Sequence, residues 1–310
     1  MRVFLTGASG FVGSFFLYNL LSSGRHNVAI LVRNTESAWR IRDLFDRVCV
    51  IKGNLQNSSN FEKQVKDFFP DAFVHSAWNG VFGSDRNSST QWRNVQQSLE
   101  LVEMGVRLGI KYWIGIGSQA EYGPHLNRIS ESTATNPTTL YGASKLATCL
   151  LAERLCNEFG LHFAWIRLFS TYGPMDSSKW MIPYVIGKLL KGEKPSLTKA
   201  EQLWDYIYIE DVASALSAVL ESDTASGIFN LGSGAAFGLK TIIEKIRDLI
   251  NPELPLGFGE VPYRTDQVMY LESDISRLKS LTGWCPKFSI DSGLRKTVEW
   301  YREHKNEIYR

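Results

Sequence analysis

Short β-rich runs alternate with segments of helical periodicity along the first half of this chain, and no other feature restricts the fold as strongly. The runs are Val3–Thr6, Val28–Val32, Val48–Ile51, Ala72–His75, Tyr112–Ile116 and Phe163–Phe169. Helical periodicity is clear over Phe15–Leu21 and Ser98–Leu108. Strands that are each followed by a helix build a parallel sheet with helices on both faces. We therefore predict an α/β fold with a doubly wound parallel sheet.

The turn after the first predicted strand contains three glycines, within the segment Gly7-Ala8-Ser9-Gly10-Phe11-Val12-Gly13. Gly7 would permit a tight turn, Gly10 would let the backbone approach a pyrophosphate, and Gly13 would let the next helix pack closely on the strand. The spacing is GxxGxxG rather than GxGxxG, so the glycines alone also fit a plain strand-to-helix turn. The strand before them and the helix after them favour a Rossmann-type dinucleotide site, in which the helix N-terminus receives the phosphates.

The end of the second predicted strand distinguishes between the two nicotinamide dinucleotides. An NAD site usually has an acidic residue there, about 20 residues after the glycines, which binds the ribose hydroxyls. This chain has Arg33 at that position and Arg40 one or two helical turns later. A guanidinium pairs with a 2′-phosphate, whereas a carboxylate would repel it. The pattern favours NADP (NADPH) as the cofactor, with NAD as the alternative if Arg33 is simply a solvated arginine at a strand end.

Tyr141 and Lys145 are four residues apart, so that on a helix their side chains share one face. A free phenol has a pKa of about 10 and is a poor proton donor at neutral pH. A neighbouring ammonium stabilises the phenolate and brings that pKa toward the working range. A lone Tyr-x-x-x-Lys pair carries little information, but downstream of a nucleotide-binding turn it indicates a catalytic pair.

Further motifs follow one another along nearly the whole chain. They are Gly53-Asn54-Leu55, His75-Ser76-Ala77-Trp78, Asn94, Ser118-Gln119-Ala120-Glu121-Tyr122-Gly123, Arg167-Leu168-Phe169-Ser170-Thr171-Tyr172-Gly173-Pro174, Asp205-Tyr206-Ile207-Tyr208-Ile209-Glu210-Asp211-Val212 and Leu281-Thr282-Gly283-Trp284-Cys285-Pro286. In these motifs the chain resembles the extended short-chain dehydrogenases/reductases of the nucleotide-sugar epimerase/dehydratase family. Asn54 replaces the family's aspartate beside the adenine, which keeps a hydrogen-bond acceptor but loses a charge.

The resemblance implies an NAD(P)-dependent oxidoreductase that acts on a nucleotide sugar and transfers a hydride, usually at C4 of the sugar. Ser118 would hydrogen-bond the reacting oxygen, Tyr141 would donate or accept its proton, and Lys145 would hold the nicotinamide ribose. Cofactor contacts are expected from Gly7, Ser9, Gly10, Phe11, Val12, Gly13, Arg33, Arg40, Asn54, Leu55, Ser76, Ala77, Trp78, Asn94, Tyr141, Lys145, Leu168, Phe169 and Ser170. Substrate contacts are expected from Ser118, Gln119, Ala120, Ser170, Trp204 and Arg264.

Two positions after Ser118 narrow the reaction. The 4,6-dehydratases of the family have an Asp-Glu pair there, whereas this chain has Gln119 and Ala120, which cannot act as acid or base. The family's enzymes that make fucose nucleotides have a cysteine in place of Ala120. The remaining reactions are NADPH-dependent reduction of a nucleotide-linked 4-keto-6-deoxyhexose and NAD-dependent C4 epimerisation of a nucleotide sugar, and Arg33 favours the reductase. A redox-silent NAD(P)-binding sensor or scaffold is a third possibility, although such proteins typically lack the tyrosine or the lysine.

The chain also departs from the family directly before Asp205. Many members have an arginine there that is directed at the nucleotide diphosphate, and this chain has Trp204. The indole either packs in the core or contacts the substrate, and the motif leaves both possibilities open. We expect Arg264, which matches a late arginine of the family, to bind the diphosphate instead.

The predicted architecture is a Rossmann-type domain with a smaller C-terminal α/β substrate lobe. The dinucleotide-binding domain is expected to cover residues 1–173, with a return segment at about 203–235. The substrate-binding lobe is expected to cover 174–310, mainly 174–202 and 236–310.

Composition and charge restrict the partners. Lys and Arg total 34 against 32 Asp and Glu, and a net charge of +2 gives no argument for binding to nucleic acid or to a membrane surface. The four cysteines lack a CxxC spacing, which argues against a metal site and favours reduced, buried thiols. No apolar run resembles a signal sequence or a membrane span, so we expect a cytoplasmic protein. Because family members often dimerise through exposed helices, we expect a homodimer through the helices around Ser98–Leu108 and Leu146–Leu155.

Overall fold

The structure, a computed structural model, describes residues 1–264 and 267–304. Twelve strands are found in these residues, several of them only two or three residues long. They are β1 (Arg2–Thr6), β2 (Asn27–Val32), β3 (Cys49–Lys52), β4 (Ala72–His75), β5 (Tyr112–Ser118), β6 (His162–Leu168), β7 (Ser170–Tyr172), β8 (Leu203–Trp204), β9 (Tyr206–Tyr208), β10 (Gly227–Leu231), β11 (Phe237–Gly238) and β12 (Tyr270–Leu271).

Seven of the strands form one parallel sheet in the order β10-β6-β5-β4-β1-β2-β3. The chain first runs outward from β1 to β3, then returns to β4 beside β1 and runs outward on the other side. The six strands predicted from the sequence all lie in this sheet, and each begins within one residue of its predicted start. The order reverses between β1 and β4, and in open α/β sheets such a reversal leaves a crevice at the carboxyl ends of the strands.

Helices cover both faces of the sheet, which confirms the doubly wound α/β fold. They are α1 (Phe11–Ser22), α2 (Ser59–Phe68), α3 (Gln91–Leu108), α4 (Leu140–Glu158), α5 (Met181–Leu190), α6 (Ile209–Leu220), α7 (Leu239–Ile250), α8 (Ser276–Thr282) and α9 (Ile290–Glu303). Alternation along β1 assigns the faces, because successive strand residues point to opposite sides. Val3 and Leu5 pack in one core with α1 and α6, and Phe4 packs in the other core with α2, α3 and α4.

The later part of the chain adds two small sheets. β7 pairs with β9, and β8 lies between β11 and β12. Helices α5, α7 and α9 pack against one another on the side of α1 and α6. The strand β10, from the predicted return segment, joins the main sheet beside β6.

All four cysteines are free thiols, but only two of them are buried. Cys149 and Cys156 lie inside α4, as expected. The expectation of buried thiols was wrong for Cys49, which begins the edge strand β3, and for Cys285, which lies after α8. None of the helices in residues 1–264 and 267–304 is long and apolar enough to cross a membrane.

Candidate active site

A cleft opens where the order of the main sheet reverses, at the carboxyl ends of the strands. We call it the glycine cleft. It collects ten of the predicted cofactor residues, namely Gly7, Ser9, Gly10, Arg33, Asn54, Leu55, Ser76, Ala77, Trp78 and Asn94. Its other lining residues, which sequence analysis did not single out as contacts, are Thr6, Leu31, Gly53, His75, Asn79 and Gln97.

Backbone contacts alone explain two of the glycines in the turn after β1, Gly7 and Gly13. Gly7 has φ of +78°, and a Cβ atom there would lie 2.6 Å from the backbone nitrogen of Ala77. A Cβ atom on Gly13 would lie 2.1 Å from the carbonyl oxygen of Gly7. The turn after β1 therefore packs against both the segment after β4 and the first turn of α1, and no other residue fits either position.

Helix α1 begins directly after Gly10, which lines this cleft. Gly10 is the N-cap and has no side chain that could occupy the backbone N–H groups of the first turn, and Phe11 and Val12 begin the helix. A helix N-terminus binds anions through free N–H groups and a partial positive charge. The closely packed glycine turn and the uncapped N-terminus of α1 fit the pyrophosphate of a dinucleotide.

The two arginines predicted to bind a 2′-phosphate lie in different places. Arg33 is exposed at the end of β2 and lines the glycine cleft. Arg40 donates from Nε and Nη2 to the carbonyl oxygen of Met175, at 3.0 and 2.8 Å, and from Nη1 to that of Ser9 at 3.4 Å. The reason is a short 3-10 helix over Trp39–Arg47, which turns Arg40 toward the loop after β7. Its role as a cofactor ligand stays a prediction, and the structure gives its guanidinium another set of partners.

Asn54 occupies the cleft rim after β3, where the family has an aspartate. Its Oδ1 accepts a hydrogen bond of 3.1 Å from the backbone of Gln56 and caps a 3-10 helix over Leu55–Asn57. Asn54 is exposed and Leu55 is half-buried. The side-chain oxygen is therefore already engaged in its own turn.

His75 closes the inner end of the cleft as a neutral imidazole. Ser98 Oγ donates to the Asn94 carbonyl and so accepts from His75 Nε2, while Thr6 Oγ1 lies 2.7 Å from His75 Nδ1. Burial, together with the nearby Lys145 charge, lowers the pKa of His75 to about 3. The ring thus ties β1, β4 and α3 together and does not exchange protons near neutral pH.

Asn94 supports the turn after β4 through the backbone of Asn79. Its Oδ1 accepts from the Asn79 nitrogen at 3.2 Å, and its Nδ2 donates to the Asn79 oxygen at 3.0 Å. Gln91 continues this support by accepting from the indole nitrogen of Trp78 at 2.9 Å. These contacts hold Trp78 between the glycine cleft and the residues described next.

The residues predicted to be catalytic come together beside Trp78. Tyr141 and Lys145 both lie on α4, whose N-cap Thr139 accepts a hydrogen bond of 3.1 Å from the Gly142 nitrogen. Ser118 ends β5, and a hydrogen bond from it lowers the pKa of Tyr141, although burial raises that pKa more strongly. The arrangement brings a serine hydroxyl to a phenol. We call Ser118, Glu121, Tyr141 and Lys145 the tyrosine wall.

Lys145 is buried and directed toward β5. Its Nζ donates to the carbonyl oxygen of Ile116 at 2.5 Å and lies 3.8 Å from the centroid of the Trp78 ring. Burial lowers the pKa of Lys145 to about 7, and the negative charge of Glu121 opposes this decrease. The ammonium is therefore shared between a backbone carbonyl and an indole. Its predicted contact with a nicotinamide ribose stays a prediction.

Glu121 is the important residue that sequence analysis missed. It is fully buried, and its carboxylate accepts from the Ser118 backbone nitrogen at 2.8 Å and from Arg167 Nε at 2.8 Å. Trp165 Nε1 also donates to it, at 3.0 Å. Burial raises the pKa of Glu121, while Arg167 and the other donors oppose that increase. The side chain fixes the turn that carries Ser118, and its carboxylate is bound to Arg167 and Trp165.

Two signals in the sequence could have revealed the buried ion pair of Glu121 and Arg167. Ser118-x-x-Glu121 is a capping box, and the structure contains both of its reciprocal hydrogen bonds. Arg167 stands between Ile166 and Leu168 in a strand of buried residues, and a buried arginine needs an acidic partner.

Only some of the residues predicted to contact the substrate lie close together. Trp204 is half-buried and donates from its indole nitrogen to Ser170 Oγ at 2.6 Å. It packs beside Phe169 in a small apolar cluster with Tyr122, Ile129 and Leu271. The indole is therefore partly packed, and its nitrogen is bound to Ser170, while its contact with a substrate stays a prediction.

The other predicted contacts lie in different parts of the chain. Gln119 and Ala120 form the short 3-10 helix after Ser118, and Leu168 ends β6. Arg264 is exposed and follows Tyr263, whose hydroxyl lies 3.2 Å from the carboxylate of Glu201. Its proposed diphosphate contact stays a prediction.

The chemistry available at this site is proton transfer beside a dinucleotide cleft. A hydrogen bond links Ser118 to the phenol of Tyr141, and the neighbouring carboxylate, Glu121, is held by Arg167. Over the part of the chain that the structure describes, no three His, Cys, Asp or Glu side chains are grouped to hold a metal ion.

Comparison with known proteins identifies one family model and many relatives, and the relatives described here match nearly the whole chain. Residues 3–232 match the model of the NAD dependent epimerase/dehydratase family. The chain is 29% identical to the CDP-abequose synthase of Salmonella muenchen, covering 96% of this chain and 97% of that protein. It is 25% identical to the dTDP-glucose 4,6-dehydratase of Salmonella typhimurium, covering 97% of this chain and 92% of that protein.

Solved structures share the fold at lower identity. The dTDP-glucose 4,6-dehydratase of Bacillus anthracis, in complex with NAD, superposes with a TM-score of 0.88 at 21% identity and covers 99% of this chain and 98% of its own. The UDP-glucose 4-epimerase of Thermotoga maritima, with UDP-glucose, has a TM-score of 0.86 at 22% identity and covers 98% of this chain and 99% of its own.

Proposed function

The chain belongs to the NAD-dependent epimerase/dehydratase family, and from this premise we propose that it is an NADPH-dependent reductase of a nucleotide-linked 4-keto-6-deoxyhexose. One observation carries the proposal. The wall beside the cleft has one carboxylate, Glu121, which is bound to Arg167 and Trp165, and we assign the proton transfer to Tyr141. Reduction of a ketone needs one proton and one hydride, whereas loss of water from a sugar needs a further acid and base.

The residues of the tyrosine wall would act on the carbonyl oxygen at C4. Ser118 donates a hydrogen bond to that oxygen and keeps the carbonyl next to the phenol. Tyr141 transfers its proton to the same oxygen, so that the phenol O–H bond breaks and the alcohol O–H bond forms. A bound nicotinamide supplies the hydride, and the protein supplies position and charge.

The preference for NADPH rests on Arg33. Its guanidinium lies at the rim of the glycine cleft, at the end of β2, where an acidic residue would select the unphosphorylated ribose. A charge-assisted pair with the 2′-phosphate favours NADPH over NADH. A reductase consumes NADPH in each turnover, whereas an epimerase keeps its NAD bound and regenerates it. A preference for NADPH therefore favours a reductase over an epimerase.

The substrate is proposed to lie between the tyrosine wall and the Trp204 indole. Trp204 contacts Ser170 and replaces the cation that many relatives of this type have before Asp205. Arg264 is then the proposed partner of the diphosphate. The resemblance to a protein named CDP-abequose synthase supports a nucleotide-linked sugar as the product.

We also propose that the protein is a homodimer that pairs through α3 and α4. Trp92, Leu150 and Leu151 are exposed on these helices, at 57%, 51% and 48% of their surface. A shallow groove between the helices is lined mainly by apolar side chains, among them Val95 and Ala147. An exposed apolar patch of this kind marks an interaction surface, and pairing about a two-fold axis would cover it. The mass in solution, measured by light scattering, tests this.

Net oxidation of NADPH with a panel of nucleotide-linked 4-keto-6-deoxyhexoses tests the reductase. We expect absorbance at 340 nm to fall with at least one member of the panel. Tyr141→Phe is expected to lose about 10²- to 10⁴-fold in rate and to bind NADPH as the unchanged protein does. Tightly bound NAD with no net NADPH oxidation would contradict the reductase and favour a C4 epimerase. Binding without any turnover would favour a sensor or scaffold.

A further inference from the structure

A second cation lies next to Tyr141 and does not come from α4. The 3-10 helix over Gly83–Asn87 packs against the beginning of α4, where Asn87 Oδ1 accepts a hydrogen bond of 3.1 Å from the Leu140 nitrogen. Gln91 Nε2 donates to the carbonyl oxygen of Asp85 at 2.9 Å. These contacts fix the segment that carries Arg86 relative to Tyr141.

Aromatic packing holds the other end of the same segment. The rings of Phe82 and Trp180 are 4.7 Å apart, and Trp180 is the N-cap of α5. The segment is therefore attached both to α4 and to the loop before α5. Arg86 lies between these two attachments and is half-buried.

Arg86 places its guanidinium over the Tyr141 ring. Its Cζ atom is 5.2 Å from the centroid of that ring, within the range of a cation–π contact. The indole of Trp78 approaches the same ring at a centroid distance of 6.2 Å and an interplanar angle of 87°. Tyr141 is thus in contact with one permanent cation and one aromatic ring.

The polar and charged groups around Tyr141 come from four elements, which are β5, α4 and the 3-10 helices that contain Arg86 and Glu121. Burial raises the pKa of Tyr141 above its usual value, and the negative charge of Glu121 adds to this increase. Ser118, at the end of β5, and Arg86 oppose the increase. Lys145, on α4 itself, directs its ammonium to Ile116 and Trp78 and has a pKa of about 7. At neutral pH, therefore, Lys145 is charged only part of the time, and Arg86 is charged all of the time.

We propose that Arg86 is a positioning residue that holds a permanent positive charge over Tyr141 and favours its phenolate. The effect of Arg86 on catalysis rests on the proposed function. When the phenol gives its proton to the substrate oxygen, Tyr141 becomes a phenolate, and the guanidinium stabilises this phenolate until solvent returns a proton. The charge itself is a property of the free protein. It can therefore be measured without substrate or cofactor.

Nitration by tetranitromethane measures the phenolate directly, because the reagent attacks ionised tyrosines. The rate at Tyr141 is followed at pH 8 by mass spectrometry of peptides, with Tyr263 of the same sample as internal reference. We expect Arg86→Gln to slow nitration of Tyr141 about tenfold, because a smaller fraction of the phenol is then ionised. Removal of the arginine also uncovers the ring, so a purely steric effect would raise the rate instead.

Two further variants separate charge from shape. Arg86→Lys keeps the charge and should restore most of the rate, even if the glutamine variant folds poorly. Arg93→Gln, which removes an exposed arginine lying over Trp92, should leave the rate unchanged. An unchanged or faster nitration of Tyr141 in Arg86→Gln, or a slow rate in Arg86→Lys, would overturn the proposal.

The same variants distinguish this proposal from the proposed function. If nitration slows as expected and no variant oxidises NADPH with any keto-sugar, the reductase is wrong and the role of Arg86 stands. If the protein catalyses the reduction, its rate should fall at alkaline pH as Tyr141 loses its proton. That fall should occur at higher pH in Arg86→Gln but not in Arg86→Lys. A profile that does not move would contradict the role of Arg86 and leave the reductase standing.

Discussion

The glycine cleft and the tyrosine wall meet at Trp78 but are built in opposite ways. The cleft is formed by backbone: glycines that admit no Cβ atom, an uncapped helix end, and an exposed arginine at its rim. The wall is formed by polar side chains that find their partners in distant parts of the chain, with Glu121 and Lys145 almost inaccessible to solvent. A backbone site can be recognised from residue spacing. A site of buried charges depends on partners that are far apart in the sequence.

The largest effect on folding is expected from the buried ion pair of the wall. Glu121→Gln should lower the free energy of unfolding by about 3 to 5 kcal/mol, because it leaves the Arg167 charge buried without a counter-charge. The matched control is Glu62→Gln, which breaks the exposed pair with Arg107 and should cost less than about 1 kcal/mol. Urea unfolding of the two variants gives the comparison. Equal losses would show that burial does not distinguish the two pairs.

Lys145 should make the stability of the wall depend on pH. Its pKa is about 7 in the folded protein and about 10.5 when unfolded, so the unfolded chain binds more protons between these values. The cost of burying the ammonium is greatest below pH 7 and disappears as the pH rises past 10.5. Lys145→Met should therefore stabilise the protein by about 2 kcal/mol near pH 7.

The pH slope is the decisive part of that prediction. From pH 7.5 to 9.5 the advantage of Lys145→Met over the unchanged protein should shrink by about 1 kcal/mol per pH unit. Lys63→Met, at an exposed position on α2, should show no such slope. An advantage that stays constant with pH would mean that Lys145 is charged in the folded protein.

The cleft should respond to backbone crowding. Gly13→Ala places a Cβ atom 2.1 Å from the Gly7 oxygen and should cost about 2 kcal/mol of stability, with weaker dinucleotide binding. Gly10→Ala brings the new atom only to 3.2 Å from the same oxygen and should cost clearly less. Thermal unfolding and fluorescence titration with NADPH measure both variants. A tolerated Gly13→Ala would contradict the close approach of β1 and α1.

The smallest effect is expected at the cleft rim. Arg33→Asp should weaken NADPH binding about tenfold or more and leave NADH binding nearly unchanged, since a single charged hydrogen-bonded pair is lost. Arg42→Asp changes the net charge equally at an exposed position and serves as the control. Equal weakening of both cofactors would remove the argument for NADPH.

The comparison also explains what could be predicted from the sequence. The strands and the glycine turn follow from local patterns, because side-chain alternation and the lack of Cβ atoms act over a few residues. Glu121 escaped notice because a charged residue in a motif is usually solvated, and only its contact with Arg167, 46 residues away, buries it.

Two arginines near the cleft show the same limit. Arg33 directly follows a predicted strand, so its place at the rim was predictable. Arg40 lies in a 3-10 helix and donates to the carbonyl oxygen of Met175, 135 residues away, and the sequence around Arg40 does not indicate that contact. The partnership of Arg86 with Tyr141 likewise arises only when the segment after β4 packs on α4.

Transfer of an isotopic label tests the central claim most directly. NADPH that carries deuterium at C4 of the nicotinamide, on either face in separate samples, is incubated with a nucleotide-linked 4-keto-6-deoxyhexose. The account predicts that one of the two samples gives a product with deuterium at C4 of the sugar, with one NADPH oxidised for each product molecule. A product without the label in both samples, or unoxidised NADPH beside a converted sugar, would contradict it.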